Sequence, residues 1–395
     1  MSNIKIILKS GKADAVKRFH PWVFSGAIKK MLGEPADGAL VDVYSNQDEF
    51  LGTGHYQDGS IAVRILTFTE VETGQDFWNQ KIASAWKYRQ ALGLTGSKDT
   101  NAFRLVHAEG DGMPGLIIDF YKGTAVLQAH SVGMHKSMEF IAEALKKNLG
   151  DRLISMYDKS AETLPSRYAE TIVNQSIWGE KLSETEILEH GLKMKVNWES
   201  GQKTGFFIDQ RENRKLLMQY SNGRKVLNTF CYTGGFSLCA LQAGATLVHS
   251  VDSSKKAVEL VESNVVLNAF EPSRHEAFAS DTMKFLEETK NKYDLIVLDP
   301  PAYAKHHDVR HNAVQGYKRL NAHAIESIAP GGILFTFSCS QVVRRDLFYS
   351  TVISAAITTG RNVRVLHHMS QAPDHPVNAY HPEGEYLKGL VLYIE

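Results

Sequence analysis

Residues 1–72 alternate short apolar runs with turn residues, which is the pattern of a small β domain. The runs IKIIL, ALVDVYS, FLGTGHY and IAVRIL are separated by Gly, Asp and Asn, and strands spaced in this way predict a small β barrel. Residues 76–93 follow with apolar side chains at helical spacing and end at Gly93, which predicts a connecting helix. We therefore expect a first domain over 1–73 and a linker helix over 74–95.

Residues 96–184 predict a second domain that mixes strands with one long helix. The runs FRLVHAE, GLIIDFY and AVLQAH precede a helical pattern over 134–148, and LISMYD follows it. Gly110, Gly112 and Gly115 mark a tight turn between the first two strands. This order favours an α+β central domain with antiparallel pairing.

From residue 185 to 395, β runs alternate with helical stretches. Such alternation predicts a doubly wound, Rossmann-like α/β domain with a seven-stranded, mostly parallel sheet. No helical pattern separates the last two runs, so we expect an antiparallel hairpin at one edge. The predicted strands are 226–230, 246–252, 275–280, 294–299, 332–338, 363–369 and 387–395.

Composition sets limits on the class of protein. A hydrophobic fraction of 43% and a charged fraction of 22% argue against a disordered chain. No apolar run reaches the roughly 18–20 residues that cross a bilayer, and the first residues do not resemble a signal peptide. The three cysteines have neither metal-ligand nor disulfide spacing. We expect a cytoplasmic protein without a membrane segment or a metal ion.

Charge is balanced overall but uneven along the chain. The 44 basic residues equal the 44 acidic ones, so the basic excess typical of nucleic-acid-binding proteins is absent. Residues 1–30, however, hold seven Lys or Arg and one Asp (7 − 1 = +6), interleaved with aromatic residues. Such a patch could hold phosphates and stack bases, although a solvated face around a β core explains it equally well. The candidates for RNA contact are Lys17, Arg18, His20 and Trp22.

Ligands of open α/β sheets bind at the carboxyl ends of the strands. The first strand of the third domain is followed by Tyr232, Thr233, Gly234 and Gly235. This turn lacks the GxGxxG spacing with which dinucleotide-binding folds cradle a pyrophosphate. S-adenosylmethionine has no phosphate and suits a looser glycine turn, whereas Gly-Gly alone would be an ordinary turn.

Acidic residues follow the next two strands. Asp252 and Ser253 end the second strand, eighteen residues after Gly234 (252 − 234 = 18), where a carboxylate can accept the hydroxyls of a ribose. Asp281 and Thr282 follow the third strand, where an adenine amino group would lie. Helix capping is the alternative for both positions. The series of strand ends, taken together, predicts a methyltransferase that uses S-adenosylmethionine.

The fourth and fifth strands end in residues that indicate a reaction. Asp299 and Pro300 begin a rigid Asp-Pro-Pro loop, and Cys339 follows the neighbouring strand. Attack of the thiolate on C6 of a cytosine makes C5 nucleophilic toward a methyl group, while Asp299 hydrogen-bonds the base edge at N3 and the exocyclic amine. Asp299 and Pro300 are also candidates for cofactor contact. The alternative for Cys339 is a small buried residue, which is how we interpret Cys231 and Cys239.

Motifs along nearly the whole chain resemble one family. The segments that carry the resemblance are RFHPWVFSG, GDGMPGLIIDFY, KTGFFIDQR, FCYTGGFS, DPPAYAK, FSCS and HPEGEYLKG. The chain resembles the three-domain large-subunit (23S) ribosomal RNA cytosine-5 methyltransferases, of the ribosomal large-subunit methyltransferase I type. The resemblance implies a PUA RNA-binding domain, a β-rich central domain and a Rossmann-like class I methyltransferase domain. It also implies large-subunit ribosomal RNA as the partner and leaves a homodimer open.

The resemblance further implies residue roles. It makes Cys339 the nucleophile and Asp299 the residue that acts on the base, and it places Gln210 and Arg211 near the cofactor. A surface ion pair with Glu212 or Asp209 is the alternative for Arg211. The chain departs from the family pattern after the prolines. The family pattern has a lysine and then an aromatic residue there, and this chain has Ala302 where the lysine is expected. The modified nucleotide is therefore left open.

Three rival classes are distinguishable. Amino-group methyltransferases often carry Asp/Asn-Pro-Pro followed directly by an aromatic residue that stacks on a flipped base, but here Tyr303 is displaced by one position. A noncatalytic RNA-binding or ribosome-assembly protein could retain the cofactor without transferring a methyl group. A nicotinamide oxidoreductase is disfavoured by the missing GxGxxG and by the Asp-Pro-Pro loop.

Overall fold

The computed structural model describes residues 3–304 and 309–395. The chain divides into two compact units and passes between them several times. The first unit comprises Met1–Thr185, Val196–Phe206 and Pro373–Gly384, and the second comprises Glu186–Lys195, Phe207–Ala372 and Glu385–Glu395. The domain boundaries inferred from the sequence, at 73, 95 and 184, stay a prediction.

The N-terminal part of the first unit is a six-stranded sheet in the order β2-β6-β5-β4-β1-β3. Only β1 and β4 pair in parallel; the other neighbours are antiparallel. Alternate residues point inward, so Ile6, Val41, Val43 and Val63 form a fully buried core. The elements are β1 (Ile4–Leu8), α1 (Asp14–Lys17), β2 (Trp22–Phe24), β3 (Ile28–Leu32), β4 (Leu40–Tyr44), β5 (Phe50–Tyr56) and β6 (Ile61–Thr67).

A five-stranded sheet in the order β11-β10-β9-β8-β7 follows in the same unit. Trp78 and Ile82 of the preceding helix are buried in the core of this sheet. The elements are α2 (Gln75–Ala91), β7 (Ala102–His107), β8 (Leu116–Tyr121), β9 (Thr124–Ala129), α3 (Val132–Lys136), α4 (Met138–Leu149), β10 (Ser155–Asp158), α5 (Ser166–Ala169) and β11 (Gln175–Gly179).

The expected antiparallel pairing is wrong at one place in this sheet. β7, β8 and β9 are antiparallel as predicted, but β9 and β10 are parallel. β11, a strand that the sequence did not predict, is antiparallel to β10. The reason is the intervening helical segment, α3 and α4, which carries the chain back along the sheet before β10 begins. The helix predicted as continuous over 134–148 is two helices that meet at Ser137.

The segment Pro373–Gly384 completes the first unit although it comes late in the chain. The carboxylate of Asp374 accepts the backbone N–H of Arg104 at 2.9 Å. The Asp374 carbonyl accepts a bond from Arg89 Nη2 at 2.7 Å, in a fully buried position. The guanidinium of Arg89 therefore depends on this late segment for one of its partners.

The second unit is built on a seven-stranded sheet in the order β16-β15-β14-β17-β18-β20-β19. The first five strands of this order are parallel, and β20 is antiparallel to both of its neighbours. The predicted mostly parallel sheet with an antiparallel hairpin at one edge is confirmed. A two-stranded sheet, β12 (Glu184–Glu189) with β13 (Leu192–Asn197), precedes it.

The helices and strands of the second unit alternate almost where the sequence placed them. The strands are β14 (Lys225–Thr229), β15 (Leu247–Asp252), β16 (His275–Ala279), β17 (Leu295–Leu298), β18 (Gly332–Ser338), β19 (Val363–Ser370) and β20 (Lys388–Ile394). The helices are α6 (Arg211–Ser221), α7 (Gly235–Gln242), α8 (Lys255–Leu267), α9 (Thr282–Glu288), α10 (Arg310–Ser327) and α11 (Arg345–Thr359).

Central strands of this sheet are apolar along their whole length. All residues of β17 and β18 are buried, as expected for parallel strands covered by helices on both faces. Tyr317 and Phe348 pack against this core from α10 and α11. Within the described part of the chain, none of the helices combines the length and the apolar character that a membrane crossing requires.

Candidate active site

The site lies where the strand order reverses. β14 pairs with β15 on one side and with β17 on the other, so the chain diverges at the carboxyl ends of these strands. That divergence leaves a crevice in doubly wound sheets. β18 is the next strand beyond β17, so the loops after β14, β15, β17 and β18 share one edge of the sheet.

The glycine turn after β14 is conformationally demanding. Phe230 and Tyr232 have φ values of 53° and 46°, and Gly234 has a φ of 80°, a run of left-handed conformations that costs free energy. A Cβ on Gly234 would lie 2.9 Å from a methyl group of Val261, and one on Gly235 would lie 2.8 Å from Cδ of Arg214. Packing thus requires both glycines, whatever their role toward the predicted cofactor.

Asp252 joins the glycine turn to the next helix. Its Oδ2 accepts the backbone N–H of Tyr232 at 3.1 Å, and its Oδ1 accepts that of Ser254 at 2.9 Å. The cap of α8 is Ser254, whose hydroxyl accepts the N–H of Ala257, so capping does not account for Asp252. The Asp252 side chain is partly exposed, and Ser253 is exposed, which leaves lone pairs of the carboxylate open to a ligand.

Asp281 caps a helix, which is the alternative that the sequence left open for this residue. It caps α9 by accepting the backbone N–H of Lys284 at 3.0 Å. Its side chain is exposed, whereas Thr282 is buried. Contact of Asp281 and Thr282 with an adenine stays a prediction.

Asp299, at the end of β17, is held by Gln210. The Nε2 of Gln210 donates to Asp299 Oδ1 at 2.9 Å, and its Oε1 accepts a bond from Asn213 at 2.7 Å. Burial and then the negative charge of Asp209 raise the pKa of Asp299 to about 7, against the opposing effects of Gln210 and Arg214. Near neutral pH a large share of Asp299 is therefore protonated and able to donate a hydrogen bond.

Two arginine side chains near the site are buried, although the sequence left a surface ion pair open for Arg211. Arg211 Nε donates to Glu212 Oε1 at 3.1 Å, but the arginine side chain is buried, 1% exposed. Arg214 makes a buried bidentate pair with Glu189, at 2.6 and 2.7 Å, and donates to the carbonyl of Phe207 at 3.0 Å. This geometry fixes the segment that carries Gln210.

Cys339 follows β18 and is partly exposed, whereas Cys231 and Cys239 are buried. Burial, followed by the charges of Asp299 and Asp209, raises the pKa of Cys339 to about 12, while Lys388 opposes this shift. The thiol is therefore neutral at physiological pH in this state. The interaction between Cys339 and Asp299 agrees with the predicted neighbouring strands.

Lys388 was missed by the sequence argument. Its ammonium group is buried and donates to the carbonyls of Ser340 at 2.5 Å and Val343 at 2.7 Å. Burial lowers its pKa to about 8. Ser340 in turn donates its hydroxyl to the carbonyl of Ala304 at 2.8 Å, which ties the Cys339 loop to the Asp-Pro-Pro loop. A lysine that opens the apolar strand KGLVLYI was the available signal.

Asp209 was named from the sequence only as a partner for Arg211. Its Oδ2 accepts the hydroxyl of Tyr386 at 2.8 Å, and its backbone carbonyl accepts the N–H of Ala372 at 2.9 Å. Its Oδ1 is buried and has no hydrogen-bond partner among the described residues. Asp209 thus brings a second carboxylate to the surroundings of Asp299 and Cys339.

The rest of the Asp-Pro-Pro loop presents one aromatic ring. Pro300 is buried and Ala302 is half-buried. Tyr303 is 36% exposed, and its ring centroid lies 4.7 Å from that of Tyr317. The DPPAYAK motif ends at Lys305, which lies outside the described residues.

The basic residues of the candidate RNA surface belong to the first unit. Lys17 and Arg18 are exposed, and Lys17 forms an ion pair with Glu49, which is weak when both partners face water. Phe19, with a φ of 64°, is 48% exposed and Phe24 is 47% exposed. These rings, which the sequence placed among the lysines, are accessible for stacking.

His20 and Trp22 are less accessible than the other candidates. Both are half-buried. The indole N–H of Trp22 donates to Glu109 Oε1 at 2.9 Å, and its ring centroid lies 4.3 Å from that of His381. Their contact with RNA stays a prediction.

Comparison with known families agrees with this geometry. Residues 113–380 match the family described as S-adenosylmethionine-dependent methyltransferase, and residues 6–68 match the PUA-like domain. The doubly wound sheet and its strand ends are thus those of a methyltransferase that uses S-adenosylmethionine, and the predicted cofactor and fold class are confirmed.

Relatives match along the full length. Ribosomal RNA large subunit methyltransferase I of Pseudoalteromonas atlantica is 40% identical, with 99% of each chain covered. The protein of the same name from Aeromonas hydrophila is 38% identical, with 98% of each chain covered. The chain therefore belongs to the family of S-adenosylmethionine-dependent methyltransferases known as ribosomal RNA large subunit methyltransferase I.

Solved structures share the fold. A putative S-adenosylmethionine-dependent methyltransferase from Streptococcus mutans superposes with a TM-score of 0.85 at 22% identity, covering 99% of this chain and 100% of its own. A second putative methyltransferase, solved as a complex with SAH, gives a TM-score of 0.86, also at 22% identity and with the same coverage. At this identity the likeness concerns the fold alone.

Proposed function

We propose that this protein transfers a methyl group from S-adenosylmethionine to C5 of a cytosine in large-subunit ribosomal RNA. The names of its relatives support the RNA class, and the PUA-like match supports an RNA-binding domain. The observation that carries the cytosine chemistry is the pairing of β17 with β18, which brings a protonatable carboxyl, Asp299, beside a partly exposed thiol, Cys339.

Residues of this site fit the cofactor. Asp252 has one backbone N–H on each oxygen and keeps lone pairs for ribose hydroxyls. The glycine turn, Gln210, Arg211 and the pair Asp281–Thr282 would complete the binding set. When bound, S-adenosylmethionine supplies an electrophilic methyl group on a sulfonium.

The proposed first step is attack of the Cys339 sulfur on C6. As the S–C6 bond forms, the C5=C6 electron pair moves to C4–C5, and the C4=N3 pair moves to N3. Asp299 donates its proton to N3, so negative charge does not accumulate on the ring. A pKa of about 7 for Asp299 suits this role, because a large share of the acid is protonated near neutral pH. Carbon C5 becomes the nucleophile that accepts the methyl group.

The thiol must lose its proton before or during the attack. Asp209, with a buried Oδ1 that has no hydrogen-bond partner among the described residues, is the carboxylate available to accept it. The ammonium of Lys388 favours the thiolate and holds the loop after Cys339 through two carbonyls. After methylation the C5 proton leaves to water, its electron pair restores the C5=C6 bond and the sulfur departs from C6 as a thiolate, while N3 returns its proton to Asp299.

The test uses ribosomal RNA from cells that lack this gene. Cys339→Ser should abolish methyl transfer while cofactor affinity, measured by calorimetry, stays near that of the wild type. Cys239→Ala, in a buried cysteine of α7, is the matched control and should stay active. Mass spectrometry of the RNA nucleosides should identify 5-methylcytidine. Retention of activity in Cys339→Ser would overturn the covalent mechanism.

A nitrogen methyltransferase is the second candidate, and one observation favours it. Tyr303 presents a 36% exposed ring next to the Asp-Pro-Pro loop, where an extruded base could stack. In that case Cys339→Ser stays active, Tyr303→Ala loses most activity, and the product is a base methylated on nitrogen. Sedimentation of the purified protein answers the separate question of a homodimer, which the sequence left open.

A further inference from the structure

Three metal-ligating side chains of the first unit converge outside the proposed active site. His20 comes just before β2, and His381 and Glu383 lie in the late segment Pro373–Gly384. Their ligand atoms all lie within 4.8 Å of one another. Glu383 Oε2 is 3.6 Å from His20 Nε2 and 3.8 Å from His381 Nε2.

His381 is the member of this cluster that most needs a partner. Its side chain is 2% exposed, and neither ring nitrogen has a hydrogen-bond partner among the described residues. Buried polar atoms without a partner are rare, and a bound ion or water is a common reason for them.

His20 has the outer contact that metal-binding histidines usually have. Its Nδ1 accepts the backbone N–H of Trp22 at 3.2 Å and lies 3.3 Å from the carbonyl oxygen of the same residue. A metal on Nε2 would require the tautomer in which Nδ1–H donates to that carbonyl, as in other histidine sites, and this contact would replace the bond from the Trp22 N–H. The Trp22 ring packs on His381 and its N–H is held by Glu109, which fixes one wall of the site.

We propose that His20, His381 and Glu383 bind one divalent transition metal ion, with Zn²⁺ as the expected species. Two imidazoles and one carboxylate form a donor set typical of zinc, and imidazole favours zinc, copper and nickel over magnesium and calcium. Bonds of about 2.0–2.2 Å require the three donors to approach one another further. The Glu383 carboxylate already lies 3.6 and 3.8 Å from the two Nε2 atoms, so the remaining approach is mainly that of the two imidazoles. Water would complete a tetrahedral site.

The proposal is independent of the methyl-transfer chemistry. A bound ion would link β2, in the PUA-like region, to the segment Pro373–Gly384, which is distant in sequence. Because the ligands come from both segments, metal binding should stabilise the folded first unit against unfolding. It would also hold His20 away from direct contact with RNA, next to the exposed Arg18.

The experiment measures metal binding by the full-length, tag-free protein after treatment with a chelator. Equilibrium dialysis against Zn²⁺ with elemental analysis should give one ion per chain. Co²⁺ in its place should give the visible absorption bands of a tetrahedral site. His381→Gln and Glu383→Gln should each weaken Zn²⁺ binding by about tenfold or more and remove the Zn²⁺-dependent rise in the unfolding temperature.

Glu287→Gln is the matched control. Glu287 pairs with His323 at 3.5 Å, in a pair that is not part of a three-ligand cluster among the described residues, so this substitution should leave Zn²⁺ binding unchanged. If His381→Gln fails to fold, Glu383→Gln at its half-exposed position still decides the matter. Absence of stoichiometric Zn²⁺ binding, or binding that Glu383→Gln and His381→Gln leave intact, overturns the proposal.

Discussion

Asp252 and Asp299 end the strands on either side of β14, and their surroundings are opposite. Asp252 is partly exposed and accepts two backbone N–H groups. Asp299 accepts a hydrogen bond from the buried amide of Gln210. Burial and the charge of Asp209 raise the pKa of Asp299 to about 7. One strand end thus offers a hydrogen-bond acceptor, and the other offers an acid that can donate.

This difference shows that position in the fold does not decide chemistry. Equivalent strand ends place both carboxylates at one edge of the sheet. Desolvation and the neighbouring charge of Asp209 then raise the pKa of Asp299. The half of the site formed after β14, β15 and β16 is suited to holding a cofactor, whereas the half after β17 and β18 is suited to proton transfer and nucleophilic attack.

The largest expected effect is that of Asp299→Asn on turnover. The amide keeps the shape but cannot give a proton to N3, so kcat should fall by about 10²–10⁴-fold, with little change in cofactor affinity. Single-turnover assays with labelled methyl groups and calorimetry measure the two quantities. An equal loss in cofactor affinity would erase the proposed division between the two halves.

The same variant also tests the raised pKa of Asp299 through stability. An acid whose folded-state pKa is raised stabilises the fold fully below its unfolded pKa, and this contribution is lost as pH rises through the folded pKa. The stability of Asp299→Asn relative to wild type should therefore rise between about pH 4 and 7, by about 1–4 kcal/mol, and level off above. Urea unfolding at several pH values measures this slope. A flat difference would mean that the pKa of Asp299 is not raised in the folded state.

Asp252→Ala should act on cofactor binding more than on turnover. Loss of a charged hydrogen-bond acceptor should weaken cofactor binding by about 1–3 kcal/mol, with kcat at saturation changed much less. Asp252→Asn, which keeps one acceptor oxygen, should have an intermediate affinity. If affinity is unchanged in Asp252→Ala, this strand end does not hold the ribose.

Asp281 provides a third strand end that separates capping from binding. Asp281→Ala should destabilise the protein by about 1 kcal/mol through loss of the α9 cap, and Asp281→Ser should restore most of that stability. Thermal unfolding measures the cap, and calorimetry with the cofactor measures the predicted adenine contact. Weak affinity in Asp281→Ser with restored stability would support the contact, and full affinity would reduce Asp281 to a cap.

Substitutions in the first unit should have the smallest effect on the two halves of the site. Replacing Lys17 and Arg18 by Ala should reduce the slope of log affinity for RNA against log salt by up to about 1.5. Cofactor affinity and the pH profile that depends on Asp299 should stay unchanged. Filter binding at several salt concentrations measures the slope, and no change would place the RNA on another surface.

Local patterns explain what the sequence could predict. The strands of the second unit were placed within a residue or two because buried parallel strands are continuously apolar and helices must separate them. The pairing of β17 with β18 followed from the same rule. Capping was foreseen as an alternative for Asp281 because a cap involves neighbours in the chain.

Contacts between segments that are distant in the chain account for the features that the sequence could not predict. The parallel pairing of β9 and β10 depends on which strands become neighbours after the α3–α4 crossover, which no local pattern records. The roles of Asp209 and Lys388 come from segments that approach Cys339 only after folding. The same holds for His20 and His381, which lie near opposite ends of the chain, so no ligand spacing is visible in the sequence.

The late segment Pro373–Gly384 has a consequence for biosynthesis. Because Arg89 and Arg104 obtain partners from Asp374, the first unit cannot complete its interior until the ribosome has made nearly the entire polypeptide. Domains commonly fold in order as they emerge, but here the earliest-synthesised unit must wait for the second to be translated. Nascent chains halted before residue 373 should therefore be more susceptible to proteolysis within their N-terminal half than full-length chains.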